Sequence, residues 1–343
     1  MNKFFSSDNY VPASPEILEA VVNLNSYSDF PYGEDETTKK VRSKINEIFE
    51  TNCEVYFVSS GTSANALALS SFVNSFGGVM CHPLSHINCD EAGAVSFFTG
   101  GGQLILINGF SAKISIDKAK SFIDSVDVTN PHASLPQAIS ITQLTESGTT
   151  YSIDEISELS NIAKSKNIIL HMDGARFANA LINENCSPAE LTWKSGIDVL
   201  SFGGTKNGCI NAEAVIFFKK SKNNFINKQK QSGHLHSKTR YISCQFEKYF
   251  EKDLWLINAR NANNRAQELL NIFKKNKLEV VEKVQGNELF VNINDEIATK
   301  LRNQKYYFYD WNSLGPNIRR FVTNYSTSIQ DIEGFEKDLL ATI

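Results

Sequence analysis

The sequence predicts an α/β protein in which a mostly parallel sheet lies between layers of helices. Six short apolar runs, rich in β-branched and aromatic residues, predict strands at 54–58, 104–107, 138–144, 168–172, 199–202 and 214–218. Helix-like segments separate several of these runs, and this alternation is typical of parallel βαβ units. Because the runs are continuously apolar, we expect the strands to be buried on both faces of the sheet.

Local signals support the individual elements. Pro15 begins an amphipathic pattern that predicts a short first helix. Ser152 is followed three residues later by Glu155, the spacing of a capping box, and an apolar helical face follows them. The run at 214–218 follows the previous strand after only a short polar stretch, so we expect it to be an antiparallel addition to the sheet.

The pattern changes near residue 250 and predicts a second, smaller α/β domain. A long amphipathic helix over 255–273 precedes short strands near 289–293 and 318–323, and a terminal helix begins at 329. We therefore predict an N-terminal segment at 1–25, which could pack on either domain, a large domain at 26–250 and a small C-terminal domain at 251–343.

Composition excludes several functional classes. The 343 residues carry a formal net charge of −4, so there is no basic field for a nucleic acid. No apolar run is long enough for a signal peptide or a membrane span, which favours the cytoplasm. The six cysteines are far apart and lack zinc-site spacing, so we expect mostly buried, reduced, structural thiols and no metal site.

Three features follow predicted strands, where α/β sheets bind their ligands. The first is the small-residue stretch at 59–65, in which Ser60, Gly61 and Thr62 could surround an anion at a helix N-terminus. It lacks the Gly-x-x-x-x-Gly-Lys pattern of a nucleotide P-loop. Taken alone, this stretch is equally consistent with a capped turn that binds nothing.

The other two features are charged. Asp173 and Arg176 follow the strand at 168–172, and Lys206 lies in a glycine-rich stretch after the strand at 199–202. Taken separately, an internal ion pair and a solvated lysine would explain them. Together with the anion seat, they supply what pyridoxal phosphate needs: a phosphate site, a carboxylate for the pyridine nitrogen and an amine for a Schiff base.

Further short stretches extend this pattern over nearly the whole chain: 7–9, 32–35, 60–65, 86 with 91–93, 132, 171–176, 204–206 and 320–322. In content and order they resemble the threonine aldolase group of the aspartate-aminotransferase-like, type I pyridoxal-phosphate enzymes. The resemblance implies a mostly parallel sheet of the seven-stranded type between helices, with a small C-terminal α/β domain.

The resemblance also implies a cofactor site. Lys206 would form the Schiff base, and Asp173 would hold the pyridine nitrogen protonated. His86 would stack on the cofactor ring. The remaining cofactor-binding residues would be Ser60, Gly61, Thr62, Arg176 and Lys238.

The substrate carboxylate would be held, by the same resemblance, by Ser7, Arg176 and Arg320. Arginine suits this task because its planar fork can bind a carboxylate through two hydrogen bonds. Arg319 and Arg320 are neighbours on a predicted strand and should point to opposite faces, so only one should enter the site, and the register favours Arg320.

Histidines and neighbouring subunits complete the implied site. His86 and His132 are the candidates for proton transfer, whereas His171 is predicted to be a core residue because it lies inside a buried strand. Family members are oligomers with shared active sites, so we expect a homo-oligomer, a dimer of dimers. Tyr32 and Lys238 would then reach the neighbouring site, with Arg240 as the alternative cation.

The expected reaction is retro-aldol cleavage of a β-hydroxy-α-amino acid, such as L-threonine or L-allo-threonine, to glycine and an aldehyde. The stretch 203–208 differs from the Leu-Ser-Lys-Gly of the better-known branch, which leaves the substrate range open. The alternatives are a related β-eliminating lyase or aminotransferase that uses the same lysine, and a catalytically silent homologue that serves as a binding subunit. The intact Lys206, Asp173 and Arg176 argue against the silent homologue.

Overall fold

Twelve strands and thirteen α-helices form the structure, a computed structural model that describes residues 3–220 and 224–343. The strands are β1 Lys3–Phe4, β2 Glu54–Val58, β3 Gly77–Cys81, β4 Gln103–Leu106, β5 Leu135–Thr142, β6 Ile169–Gly174, β7 Val199–Gly203, β8 Glu213–Phe217, β9 Glu288–Asn292, β10 Tyr306–Tyr307, β11 Tyr309–Asp310 and β12 Ile318–Val322.

The helices alternate with the strands of the central sheet and continue through the C-terminal part of the chain. They are α1 Pro15–Leu24, α2 Glu36–Ile48, α3 Gly61–Ser70, α4 His86–Cys89, α5 Ala94–Thr99, α6 Ile116–Ser125, α7 Ile153–Ser165, α8 Phe177–Glu184, α9 Phe225–Gln231, α10 Arg240–Phe250, α11 Leu254–Lys275, α12 Asp295–Asn303 and α13 Ile329–Leu340. No helix in the described residues is long and apolar enough to span a membrane.

The central sheet has seven strands in the order β2-β8-β7-β6-β5-β3-β4. β8 is antiparallel to both of its neighbours, and the other pairs are parallel. The mostly parallel α/β prediction and the antiparallel prediction for 214–218 are therefore confirmed. The strand expected at 138–144 lies at Leu135–Thr142, so β5 begins and ends earlier than predicted.

The seventh strand, β3, was not among the six apolar runs. It begins with Gly77 and Gly78, which carry no side chain and weaken the strand signal. A Cβ atom at Gly78 would lie 2.3 Å from Ile105 Cδ1 of the adjacent β4, so only glycine leaves room for that side chain. Gly78 thus weakens the strand signal in the sequence and also permits β3 to pack against β4.

A second, three-stranded antiparallel sheet in the order β11-β12-β9 lies in the C-terminal part, next to α11 and α13. The N-terminal segment contacts both parts of the chain, because β1 pairs with β10 while α1 packs against α10. The capping box of α7 is formed as expected: the Ser152 side chain accepts from Glu155 N, and the Glu155 carboxylate accepts from Ser152 N. The domain limits near residues 25 and 250 remain predictions.

Phe202 of β7 is the centre of an aromatic cluster beneath the central sheet. Its side chain is fully buried, and six rings have centroids between 5.7 and 6.4 Å from its own: Phe49, Phe177, Phe246, Tyr249, Phe250 and Trp255. We expect Phe202→Ala to lower the free energy of unfolding by about 3–5 kcal/mol, because the cavity cannot be refilled by rigid neighbours. Equilibrium denaturation measures this loss.

Phe110 provides the matched control, since its side chain is 94% exposed. Phe110→Ala should change the free energy of unfolding by less than about 0.5 kcal/mol. Equal losses in the two variants would show that Phe202 is not a packing centre.

Candidate active site

A cavity of about 730 Å³ lies at the carboxyl edge of the central sheet. One side of the cavity is formed by residues at or just after the ends of β2, β5, β6 and β7. The opposite side is formed by residues of β9 and β12 and by the turn after β11. The N-terminal Ser7 and Asn9 close one side. The cavity therefore collects side chains from all three predicted parts of the chain.

An anion seat forms the first part of the cavity. The Ser60 side chain caps α3 by accepting a hydrogen bond from Ser63 N at 3.2 Å, so Gly61 and Thr62 are the first residues of the helix. Nothing lies within 4 Å of the position that a Gly61 Cβ would occupy, which leaves the helix start open. Backbone N–H groups and the positive end of the helix dipole favour an anion here.

Asp173 is the second part. It is the next-to-last residue of β6, is buried, and accepts hydrogen bonds from Asn65 Nδ2 at 2.8 Å and from Ala175 N at 3.0 Å. Asn65 Nδ2 also donates to Glu91 Oε1 at 2.9 Å. These donors fix the orientation of the carboxylate and compensate its burial.

His86 is held beside this carboxylate by Glu91. Its Nδ1 donates to Glu91 Oε1 at 2.8 Å, and this hydrogen bond raises the pKa of His86 above its ordinary value. Burial raises the pKa of the Glu91 carboxyl. Because Nδ1 is committed to Glu91, the tautomer and ring orientation of His86 are fixed.

Lys206 lies in a short 3₁₀ turn, Thr205–Asn207, after β7. The turn is anchored by Asn207, whose Nδ2 donates to Tyr249 Oη and to the Trp255 carbonyl oxygen. Gly208 ends the turn with a φ of +108°, and a Cβ there would lie 2.8 Å from Asn258 Nδ2. Glycine is thus required both by the backbone conformation and by the close approach of α11.

The amine of Lys206 is prepared for nucleophilic chemistry. Burial, and then the positive charge of Arg176, lower its pKa below the ordinary value. Within the described residues, no hydrogen bond from Lys206 Nζ is formed. A desolvated amine of lowered pKa is the form of lysine that attacks carbonyl groups.

Two arginines occupy the side of the cavity nearest the C-terminal sheet. Arg176 donates to Asp8 through Nε at 2.7 Å and through one terminal nitrogen at 2.9 Å. Glu288 lies between the arginines, 3.4 Å from Arg176 Nη1 and 3.6 Å from Arg320 Nη1. Two buried carboxylates thus balance two guanidinium groups.

These ion pairs shift the pKa values of Asp8 and Arg176. Burial alone would raise the pKa of Asp8, but the charges of Arg176 and Lys206 outweigh burial and hold that pKa below its ordinary value. Burial likewise opposes the charge of Arg176, yet Asp8 and Glu288 outweigh it and raise the pKa of Arg176. Since Asp8 takes Nε and one terminal nitrogen of Arg176, a substrate carboxylate would meet Nη1, which lies 3.4 Å from Glu288 and would be shared with it.

Arg320 faces the cavity and Arg319 faces away from it, as expected for adjacent residues of a strand. Arg320 lies 4.3 Å from the centre of the Trp311 ring and donates to the Ser6 carbonyl oxygen at 3.1 Å. Arg319 pairs with Asp295 and Asp310 on the opposite face.

Three of the residues expected at the site do not line this cavity. His132 is exposed on the connection between α6 and β5. Tyr32 lies before α2, where its N–H donates to the Ser237 carbonyl oxygen at 3.1 Å, and the adjacent Lys238 is exposed. The single chain therefore brings Tyr32 and Lys238 near each other but outside its own site.

Two further expectations concern histidine and cysteine. His171 is a core residue, as predicted: its ring nitrogens lie 2.9 Å from Ser140 Oγ and 3.0 Å from Ser201 Oγ, and burial lowers its pKa to about 4. All six cysteines are unpaired. Cys89 departs from the expectation of buried, structural thiols, because it is exposed and lines the cavity.

Several acidic and amide side chains at the cavity were given no role from the sequence. Asp8, Asn65 and Glu91 lay within the stretches that matched the family. The partners of Asp8 and Asn65 are distant in sequence, whereas Glu91 contacts His86 five residues before it. Glu146 and Glu288 lay outside those stretches. Glu146 follows β5, so its position just after a strand was the available signal.

The comparisons with known proteins agree with this architecture. A family model described as beta-eliminating lyase matches residues 5–296. The chain is 36% identical over 341 residues to a low specificity L-threonine aldolase of Pseudomonas sp. strain NCIMB 10558, covering 99% of this chain and 97% of that protein. It is 34% identical over 337 residues to the protein of the same name from Pseudomonas aeruginosa, with coverage of 98% and 96%.

Solved structures give the same result. A Leishmania major threonine aldolase superposes with a TM-score of 0.91 at 25% identity, covering 98% of both chains. An aspartate aminotransferase of Thermotoga maritima shares the fold, with a TM-score of 0.74 at 15% identity and coverage of 99% of this chain and 91% of that one.

Proposed function

Because the chain belongs to the beta-eliminating lyase family, we propose that it is a pyridoxal-phosphate-dependent aldehyde-lyase that cleaves L-threonine, L-allo-threonine and related β-hydroxy-α-amino acids to glycine and an aldehyde. One observation carries this proposal: an anion seat, a buried aspartate, a desolvated lysine and two arginines line one cavity in a chain that matches L-threonine aldolases along its full length.

The residues present fit the cofactor. The open start of α3 would hold the phosphate through Ser60, Gly61 and Thr62, Asp173 would hold the pyridine nitrogen, and Lys206 would bind the aldehyde carbon. His86 would lie against the ring. When bound, pyridoxal phosphate supplies a sink for the electron pair released at the substrate Cα.

The chain's own residues then determine which bond breaks. Arg320 and Arg176 Nη1, which Arg176 would share with Glu288, would hold the substrate carboxylate, with Ser7 at the same side of the cavity. Fixing the carboxylate fixes rotation about the Cα–N bond, and with it the bond that lies perpendicular to the cofactor plane. Asp173 would hold a proton on the pyridine nitrogen of the cofactor.

Arg320→Leu should raise KM for L-threonine roughly 10–100-fold, because a hydrogen bond between charged groups contributes about 1.5–3 kcal/mol. The effect on kcat should be smaller. Steady-state kinetics with L-threonine measures both constants.

Arg319→Leu is the matched control, because Arg319 is adjacent in β12 but faces away from the cavity. Its KM should stay near that of the wild type. A similar rise in both variants would assign the effect to disruption of β12 rather than to the carboxylate.

We further propose a homo-oligomer, a dimer of dimers, in the cytoplasm. Among the described residues, the cations that line the cavity are Lys206, Arg176 and Arg320, so the anion seat at α3 lacks a dedicated cation of its own. Tyr32 and Lys238 are exposed together outside the cavity and would be free to reach the site of a neighbouring copy. The six unpaired cysteines suit a reducing compartment.

One assay tests the function. Holoenzyme is incubated with L-threonine, L-allo-threonine, phenylserine and serine, and glycine is quantified together with the matching aldehyde. Equal amounts of glycine and aldehyde support the aldolase. Ammonia with a keto acid would indicate a β-eliminating lyase, a keto acid without ammonia an aminotransferase, and no product with a loaded cofactor a silent homologue.

A further inference from the structure

Glu146 lines the cavity in the turn after β5, next to the start of α4. Its Oε1 accepts hydrogen bonds from His86 N at 2.8 Å and from Thr142 Oγ1 at 3.2 Å. One carboxylate oxygen is therefore fixed by groups on two elements. The orientation of the whole side chain follows, because the two oxygens are rigidly connected.

The second oxygen of Glu146 has no such partner. Oε2 is buried and forms no hydrogen bond among the described residues. A buried acceptor without a donor is costly, so such an atom in a binding cavity indicates a donor that arrives with the ligand. The contacts proposed for the cofactor and the substrate carboxylate do not use this atom.

The surroundings of Glu146 favour proton exchange near neutral pH. Burial, followed by the charge of Asp173, raises its pKa to about 7. The other titratable groups that interact with it are Tyr151, Cys81 and Cys89, and burial raises the pKa of each of them above the ordinary value. These three groups are thus uncharged near pH 7. They add no charge that would hold the Glu146 carboxyl in one protonation state.

We propose that Glu146 Oε2 accepts the proton of the substrate β-hydroxyl group during carbon–carbon cleavage. This inference rests on the proposed aldolase function and names a catalytic residue for it. A β-hydroxyl is the donor that distinguishes the proposed substrates from other amino acids, and a fixed carboxylate oxygen with no partner is a suitable acceptor.

The step balances. The hydroxyl proton moves to Glu146 Oε2, the electron pair of the O–H bond forms the carbonyl bond of the aldehyde, and the Cα–Cβ bond breaks. Its electron pair remains at Cα, where pyridoxal phosphate would supply the sink. A proton then adds to Cα to give glycine, and Glu146 releases its own proton to solvent, so the products contain all the atoms of the substrate.

Other groups are less suited to this step. His132 is exposed and does not line the cavity, and His86 is assigned to packing against the cofactor ring. The side chain of Glu91 is fully buried behind His86. Asp310 is paired with Arg302 and Arg319.

Glu146→Gln tests the proposal, since glutamine keeps an acceptor for His86 N but cannot take up the proton. We expect kcat for L-threonine to fall about 100-fold. The matched control is Asp198→Asn at the opposite edge of the sheet. Asp198 is also a partly buried carboxylate with a raised pKa that accepts a backbone hydrogen bond, from Leu170 N at 2.9 Å. Asp198→Asn should retain wild-type kcat.

Glycine separates proton transfer at the hydroxyl from a structural effect, because glycine has no β-hydroxyl. In Glu146→Gln holoenzyme, exchange of the glycine α-proton with deuterated water, followed by NMR, should proceed within about threefold of the wild-type rate. The dissociation constant of glycine, measured from the cofactor absorbance, should be equally unchanged. Parallel loss of glycine exchange and threonine cleavage would overturn the proposal.

The pH profile provides a second readout. The carboxylate form of Glu146 is the acceptor, so wild-type kcat should fall as the pH decreases through about 7, and this limb should be absent in Glu146→Gln. Wild-type kcat in Glu146→Gln would overturn the inference while leaving the aldolase function intact. Failure of the wild-type enzyme to release glycine from threonine would overturn the proposed function itself.

Discussion

Lys206→Ala is expected to lower kcat for L-threonine cleavage by at least about three orders of magnitude, because the variant loses the positioned amine that captures the cofactor. The turn that carries Lys206 is anchored through Asn207 rather than through the lysine itself. The fold should therefore survive, with an unchanged far-UV circular dichroism spectrum.

The covalent bond can be observed directly. Borohydride reduction of the wild-type holoenzyme should fix the cofactor onto the peptide that contains Lys206, as detected by mass spectrometry, and Lys206→Ala should show no such adduct. The control is Lys219→Ala, an exposed lysine beyond the end of β8 near the opposite edge of the sheet. An adduct on another lysine, or full activity of Lys206→Ala, would refute the assignment.

Asp173→Asn is expected to lower kcat by about 10²–10³-fold, the range found when one preorganised electrostatic partner is removed from a catalytic site. The neutral amide cannot hold the ring nitrogen protonated, so the bound cofactor becomes a weaker electron sink. Binding through Lys206 should persist, and the borohydride adduct should still form. Single-turnover kinetics with L-threonine at saturating cofactor measures the loss.

Asn65→Ala gives a graded comparison. It removes the hydrogen bond to Asp173 Oδ2 but leaves the carboxylate and its contact with Ala175 N. We expect a loss of about tenfold or less in kcat, since Asp173 loses only one of its donors, and Glu91, which also loses the Asn65 donor, keeps its contact with His86. A loss in Asn65→Ala equal to that in Asp173→Asn would mean that position, rather than charge, is what residue 173 supplies.

The central sheet shows which strands the local sequence pattern can predict. Continuous apolar runs predicted six of the seven central strands. The inner strands β6, β7 and β8 are buried along their whole length, as expected, whereas the edge strand β4 begins and ends with an exposed residue. β3 was missed because Gly77 and Gly78 contribute little to such a pattern, although packing against Ile105 requires a residue without a side chain at position 78. At position 78, strand propensity disfavours glycine, whereas packing against Ile105 requires it, and the chain has glycine there.

In the candidate site, too, some features could be predicted from the sequence and others could not. The positions of Asp173, Lys206 and the start of α3 could be predicted because each follows a strand, and the carboxyl ends of parallel strands share one edge. The partnership of Asp8 with Arg176 spans 168 residues, and no local pattern reports it. The same applies to Glu288, which lies between Arg176, just before α8, and Arg320 of β12.

The amino-acid order alone thus determined the layered α/β architecture and the residues that would carry a cofactor, because periodicity and strand ends are local properties. Only the tertiary structure decided which charges share the cavity. It placed His132 on an exposed connection, committed two nitrogens of Arg176 to Asp8, and left one oxygen of Glu146 without a donor. Hydrogen bonds and ion pairs act over a few ångströms in space, so they are settled only when distant segments meet.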